Sequence, residues 1–241
     1  MISQIQSKTL REQAYQEIKN SILKNDLLPG ETFSISSIAK LLNISDTPVR
    51  EALAMLNTEG LIEYRPHKKV QVCNITELDV RQIYEVRRLL EPYAASLAVK
   101  AIPKMPELRE HAKKIRDKAK EISLMPIEKI NYKSSTEIDL GLNEIFLMAA
   151  GKTFFGEIFS FVLGRSLRIR TFVEAVTKGK PSGLVHTINN EHLVIIKALL
   201  EKNRDKLCVA VGEHLRQAEN RTLQELKGKY SSTGGGIVDS N

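Results

Sequence analysis

The sequence predicts a mainly α-helical protein in two units, a smaller one carrying a short β-hairpin and a larger one that is helical throughout. Three observations lead there. Apolar residues recur at helical spacing along most of the chain, and Pro and Gly interrupt that spacing at short intervals. Only two runs, Leu61–Tyr64 and Val70–Cys73, are β-prone. With 42% hydrophobic and 27% charged residues among 241, the chain can bury a real core and stay soluble.

Residues 9–25 place Leu10, Ala14, Ile18 and Ile22 on one helical stripe, with Thr9 as cap. Leu28-Pro29-Gly30 stops that helix. A second helix is expected over 34–41, capped by Ser34 or Ser36 and burying Ile38, Leu41 and Leu42. After the tight turn Asn43-Ile44-Ser45, a third helix over 46–58 turns Val49, Leu53 and Leu56 inward and ends before Gly60. The two β-prone runs follow, joined by Arg65-Pro66-His67-Lys68-Lys69. Helix, helix, tight turn, helix and hairpin is the order of a winged helix-turn-helix.

The run SDTPVREAL at the start of the third helix carries groups suited to an anion. Pro48 fits a first turn, whose N–H groups lack internal partners, and the positive end of the helix dipole faces outward there. LPGETFS, IAKLLNISDTPVREALAMLNTEGLIEY and the wing that follows resemble the DNA-binding domain of the GntR family of bacterial regulators, over most of 9–73. That resemblance implies that Arg50 reads a base, since a guanidinium can grip guanine O6 and N7, with Ser36, Ser45 and Thr47 on the backbone or nearby bases. Asp46 departs from it, because the family commonly has an arginine there. An aspartate repels phosphate, yet it is also a good N-terminal helix charge and could accept from a cytosine amino group. The wing departs as well, with His67, Lys68 and Lys69 where glycines are usual; the lysines can track phosphate.

Charge alone does not single out this first unit. Residues 1–75 hold nine Lys and Arg against eight Asp and Glu, whereas 76–241 hold 27 against 21. A DNA role therefore rests on local arrangement.

From Glu77 onward, helices are expected at about 77–100, 104–123, 127–150, 154–178, 182–202 and 204–227, a six-helix bundle. Residues 1–73 thus form a DNA-binding unit, 74–76 a link, 77–228 an effector-binding and dimerisation unit, and 229–241 a flexible tail. Four polar residues fall where core residues belong: Asp139 and Asn143 on one helix, His192 on another, His214 on the last. Each alone reads as a satisfied core polar group. Together, N/O groups on three facing helices can hold a metal ion. Arg87 also lies on an apolar stripe, where it meets either a ligand carboxylate or an internal partner, Asp139 or Glu91.

The segments EVRRLLEPYAASLA, Asp139 to Lys152, EHLVIIKALLEKN and His214-Leu215 resemble the FadR-type ligand-binding domain over nearly all of 77–227. The resemblance implies a metal site at Asp139, Asn143, His192 and His214, with asparagine where the family has histidine, and an acid-binding role for Arg87. An amide oxygen is a weaker ligand, so a divalent ion of zinc, nickel or manganese type is expected rather than strictly tetrahedral zinc. Arg165, Arg168 and Arg170 read as a solvated basic face, as does the Lys113–Lys120 run, and His186 as surface or rim.

The expected function is a bacterial transcriptional regulator, a repressor in type, that is not an enzyme. It would bind double-stranded DNA at a palindromic operator as a homodimer and respond to a small organic acid. One alternative is a metal-free sensor of an apolar or acyl ligand on the same scaffold. Another is a metal-dependent hydrolase, which leaves the winged unit unexplained and has no evident general base. No apolar run is long enough for a membrane span, the N-terminus does not read as a signal peptide, and Cys73 and Cys208 lie far apart; a reduced, cytoplasmic protein is expected.

Overall fold

The computed structural model describes residues 9–64, 69–130, 132–177 and 183–232, so His67 and Lys68 of the wing lie outside the described residues. The chain divides into two compact units, Met1–Ile75 and Thr76–Asn241.

In the first unit, α1 (Leu10–Leu23) opens on a capping box in which Thr9 and Glu12 satisfy each other's backbone N–H. Helices α2 (Ile35–Leu42) and α3 (Asp46–Thr58) follow. The turn between them is made by Asn43 in the left-handed region, φ 53°, which an asparagine tolerates better than most side chains. Ser34 caps α2 by accepting from the Ser37 N–H. Val49, Ala52, Leu53 and Leu56 of α3 pack on Ala14, Ile18 and Ile22 of α1 in one buried cluster.

Two of the expected core positions are corrected. Leu41 is 79% exposed, because Ile38 and Ala39 define the inward face of so short a helix and Leu41 falls off it. Leu10 stands at the outer end of α1 and is exposed too.

The sheet has three antiparallel strands in the order β1-β3-β2: β1 (Thr32–Phe33), β2 (Ile62–Glu63) and β3 (Val70–Val72). Phe33 pairs with Val70 and Ile62 with Val72, so β3 is the central strand of the wing.

The second unit contains α4 (Glu77–Ala101), α5 (Pro106–Leu124), a short 3-10 turn (Ile127–Lys129), α6 (Tyr132–Ala150), α7 (Phe154–Thr177), α8 (Gly183–Leu200) and α9 (Arg204–Ser232). The expected helix at 127–150 is thus split, and α9 runs on to Ser232. Thr76 starts α4 with a second capping box, its Oγ1 accepting from the Asp79 N–H at 3.1 Å. Pro92 sits inside α4 and leaves the Arg88 carbonyl without its helical donor. α4 packs on α6, α7 and α9, while α5 packs on α6 and α8. Gly141 brings α6 close to α5; a Cβ there would stand 2.7 Å from Ile115 Cδ1. Among the described residues, no helix is long and apolar enough to cross a membrane.

Candidate functional site

At the head of α3, the backbone at Ser45 is extended, and no side-chain cap closes the helix. Its first-turn N–H groups and the Ser45 hydroxyl are therefore unspent by capping, next to the positive end of the helix dipole. Ser36, Ser45, Thr47 and Arg50 are all exposed, as is Lys69 at the base of the wing. Arg50 is not a free arm, however. Its Nη2 lies 3.6 Å from Asp46 Oδ2 one turn back, and its Nη1 lies 3.5 Å from the Tyr64 hydroxyl. Asp46 thus holds the one arginine of α3 through an exposed pair, which is worth well under ~1 kcal/mol and is easily given up to a phosphate or base.

The second unit contains a cavity of about 40 Å³ lined by residues from α4, α6, α7, α8 and α9. Room for a water is roughly 10–15 Å³ on this scale, so the space suits an ion or the head of a small molecule. Asp139, His192 and His214 converge on it, with ligand atoms within 4.8 Å of one another. Arg87 and Ser135 also line it.

The electrostatics distinguish the two imidazoles. Burial, reinforced by charge on His214, pushes His192 down to about 3. It is a neutral ring, 1% exposed, and neither nitrogen has a hydrogen-bond partner among the described residues. Burial also disfavours charge on His214, but Asp139 and Glu191 outweigh it and raise its pKa. His214 Nδ1 lies 2.8 Å from Glu191 Oε2 and its Nε2 lies 3.6 Å from Asp139 Oδ1. Because a carboxylate only accepts, Nδ1 carries the proton and Nε2 is the nitrogen turned towards Asp139. Burial would raise the Asp139 carboxyl; Arg170, His214 and Arg87 instead hold it well below the usual range. Glu191 is opposed by burial in the same way, yet His214 and Arg221 bring it down to about 2. Arg221 clamps Glu191 with two bonds, 2.7 and 2.9 Å.

These residues fit a divalent ion. A neutral buried imidazole with both nitrogens unpartnered, beside an ionised carboxylate and a second oriented imidazole, is a donor set suited to one. Ligand atoms on one ion at about 2.1 Å stand within roughly 4.2 Å of each other, so a small side-chain shift closes the three. Asn143 lies one turn beyond Asp139 on α6, 4% exposed with its Nδ2 unpartnered, but it does not line the cavity.

Arg87 is 2% exposed and pairs with Glu91 at 2.5 Å, the second of the internal partners weighed from the sequence. The solvated reading of Arg170 is corrected: it is buried, lines the cavity and stands 3.0 Å from Asp139 Oδ2. A signal was there to be read, since Arg170 follows buried Val162 and Ser166 at intervals of four and precedes Val173 by three. Glu191 and Arg221 were also missed. Glu191 precedes His192 directly, so on stripe position alone it reads as facing elsewhere.

Comparison with known proteins follows the two units. Residues 10–72 match the family described as bacterial regulatory proteins, gntR family, and residues 82–217, more than half of the chain, match the FCD domain. An HTH-type transcriptional regulator from the TAR-I ttuE-ttuC' intergenic region of Agrobacterium vitis is 41% identical over 83 residues. That match covers 34% of this chain and about half, 48%, of that protein. The gluconate operon transcriptional repressor of Bacillus subtilis (strain 168) is 24% identical, over 85% of this chain and 82% of its own length. The solved structure of E. coli McbR/YncC superposes with a TM-score of 0.70 at 18% identity, covering 91% of this chain and all of that one, and shares the fold.

Proposed function

We propose a function on one premise: the chain belongs to the GntR family of bacterial regulatory proteins and joins that family's DNA-binding head to an FCD domain. It is a transcriptional regulator. Its head binds duplex DNA through α3, with Arg50 on a base edge and Ser36, Ser45, Thr47 and Lys69 against the backbone or neighbouring bases; His67 and Lys68 complete the wing's contribution. One such helix reads few base pairs, so a homodimer on a palindromic operator is the working form, in the cytoplasm where the DNA lies.

The FCD unit is the sensor. The observation that supports this most directly is the cavity where Asp139, His192 and His214 meet Arg87. We infer that these three, with Asn143 as fourth candidate, hold a divalent ion of zinc, nickel or manganese type, and that Arg87 faces a small organic acid. Such an ion, when bound, attracts the oxygens of that acid. The chain's own residues do the rest. Glu191 and Arg221 fix the tautomer of His214, burial keeps His192 neutral, and the Arg87–Glu91 pair sets a guanidinium in the wall. A relative named for the gluconate operon, whose name contains a sugar acid, is consistent with an acidic effector. The effector acts by preferring one arrangement of the heads, joined to their sensors by residues 74–76.

Operator binding tests the reading. Arg50→Ala should cost about 1–3 kcal/mol and blunt discrimination between the operator and a scrambled duplex. Fluorescence anisotropy on promoter fragments from the source genome reads both. Equal affinity of variant and wild type on every fragment removes Arg50 from recognition.

A further inference from the structure

The cavity wall offers more donors than the protein itself uses. Arg87 on α4 spends Nε on Glu91, yet its buried Nη2 has no hydrogen-bond partner. Arg170 on α7 is 9% exposed, and its Nε is at ion-pair distance from Asp139 Oδ2 but off the line of a hydrogen bond. Among the described residues, neither Nε nor Nη2 of Arg170 has a hydrogen-bond partner, and Ser135 Oγ on α6 is likewise unspent. All three residues line the same space.

Unpaired N–H groups on a buried guanidinium carry a desolvation cost with nothing gained in return. Donors from two planar forks converging on a space of about 40 Å³ are the complement of an oxyanion the size of a carboxylate. The charges are matched unequally. Arg87 is paired with Glu91 and Arg221 with Glu191, each on a carboxylate in direct contact. Among the described residues, the carboxylate paired with Arg170 is Asp139, which it shares with His214. A divalent ion drawing on Asp139 therefore weakens that carboxylate contact of Arg170 and leaves the guanidinium in need of an anion.

We propose that Arg170 is an anion-binding residue of the cavity, the second arm of a clamp whose first is Arg87, closing on a small carboxylate, and that it competes with a divalent ion for Asp139. This deepens the acid-sensing reading above and rests on it. The ion and the acid then support each other: the ion takes Asp139, and the acid takes the arginine that Asp139 releases.

The test uses the full-length protein, stripped with chelator and moved into a chloride buffer free of carboxylates. Acetate, followed by calorimetry, is the anion probe, and Mn2+, followed by electron paramagnetic resonance, is the ion probe. Arg170→Gln should weaken acetate binding about tenfold or more while Mn2+ binding is retained or tightened, because a competitor for Asp139 is gone. A purely structural arginine would weaken both together, and that result overturns the proposal. Unchanged acetate affinity in Arg170→Gln, with Arg87→Gln losing it, also overturns it and leaves the acid-sensing reading standing. Wild-type protein that takes no acetate, with or without Mn2+, overturns both. Should the glutamine variant not fold, Arg170→Lys decides. It keeps the charge but not the fork, so a loss of acetate affinity with Mn2+ binding intact supports the clamp, and no loss overturns it.

Discussion

Asp46 and Arg50 set a competition within one turn of α3. The pair is half exposed on both sides at 3.6 Å, so it stabilises the fold little, but in the proposed DNA complex it sets a carboxylate beside the phosphates. Asp46→Asn keeps the shape, removes the repulsion and frees Arg50. Operator affinity should rise a few-fold at low salt, and the gain should fade as ionic strength approaches 1 M, where screening acts within ~3 Å. Anisotropy titrations at two salt concentrations check it. A loss of affinity confined to the true operator would mean that Asp46 accepts from a base. Asn143 permits a second test at this scale. Its place on the inward face of α6, one turn from Asp139, was legible from spacing, and so was its weakness as a ligand. Asn143→His should tighten zinc binding about tenfold, or ~1.4 kcal/mol, in a competition titration with a chromophoric chelator. Unchanged affinity would place residue 143 outside the ion's reach, in keeping with its absence from the cavity wall.

Elements were legible wherever a strong breaker bounded a periodic run. Asn43, Gly60 and Gly151 follow helix ends in the left-handed region, Pro106 opens α5 at its first position, and Pro29-Gly30 turns the chain between α1 and β1, so each marks a boundary through its own backbone preference. β1 was not legible: two residues carry no period, and Thr32–Phe33 is a strand only because β3 offers a partner. The break before α6 was missed because Ile127 and Ile130 continue an apolar spacing through a segment that forms a 3-10 turn instead. Arg170 was misread for a related reason. A charged residue on an apolar helix is assigned to solvent by composition, and its partly buried partner Asp139, thirty-one residues back on α6, reverses that. Capping is the element-level feature with the clearest energetic consequence. Thr76 joins the link between units to the start of α4, and its reciprocal bonds with Asp79 satisfy two otherwise orphaned N–H groups. Thr76→Ala should destabilise the sensor by ~1 kcal/mol, seen as a lower urea midpoint and faster amide exchange in the first turn of α4. Exchange unchanged at Val80 would show that tertiary packing alone holds that turn.

For the whole molecule, the proposed working form sets the requirement: a dimer on a palindromic operator has two heads for two half-sites, coupled through the FCD unit. The FCD unit has a surface suited to that. Val86, Leu89 and Tyr93 on α4 and Phe154, Ile158 and Phe161 on α7 are apolar and exposed, Leu89 at 72% and Phe161 at 66%. Tyr93 meets Phe155 edge-on at 4.8 Å, so the two helices present their large side chains side by side rather than on opposite faces. Scattered apolar residues on a monomer surface need no explanation, but six large ones on two adjoining helices exceed that. In the proposed homodimer a second copy of the same face is the occupant, since an isologous contact would bury both patches at once. Introducing charge there, as Leu89→Asp with Phe161→Asp, should convert dimer to monomer in sedimentation without altering the helical circular dichroism signal. Operator affinity should then fall by a factor of about 10² or more, because each head must bind its half-site without the effective concentration that the dimer supplies, while a single half-site duplex should be bound equally by variant and wild type. A charged variant that still sediments as a dimer would assign the contact to another face of the sensor.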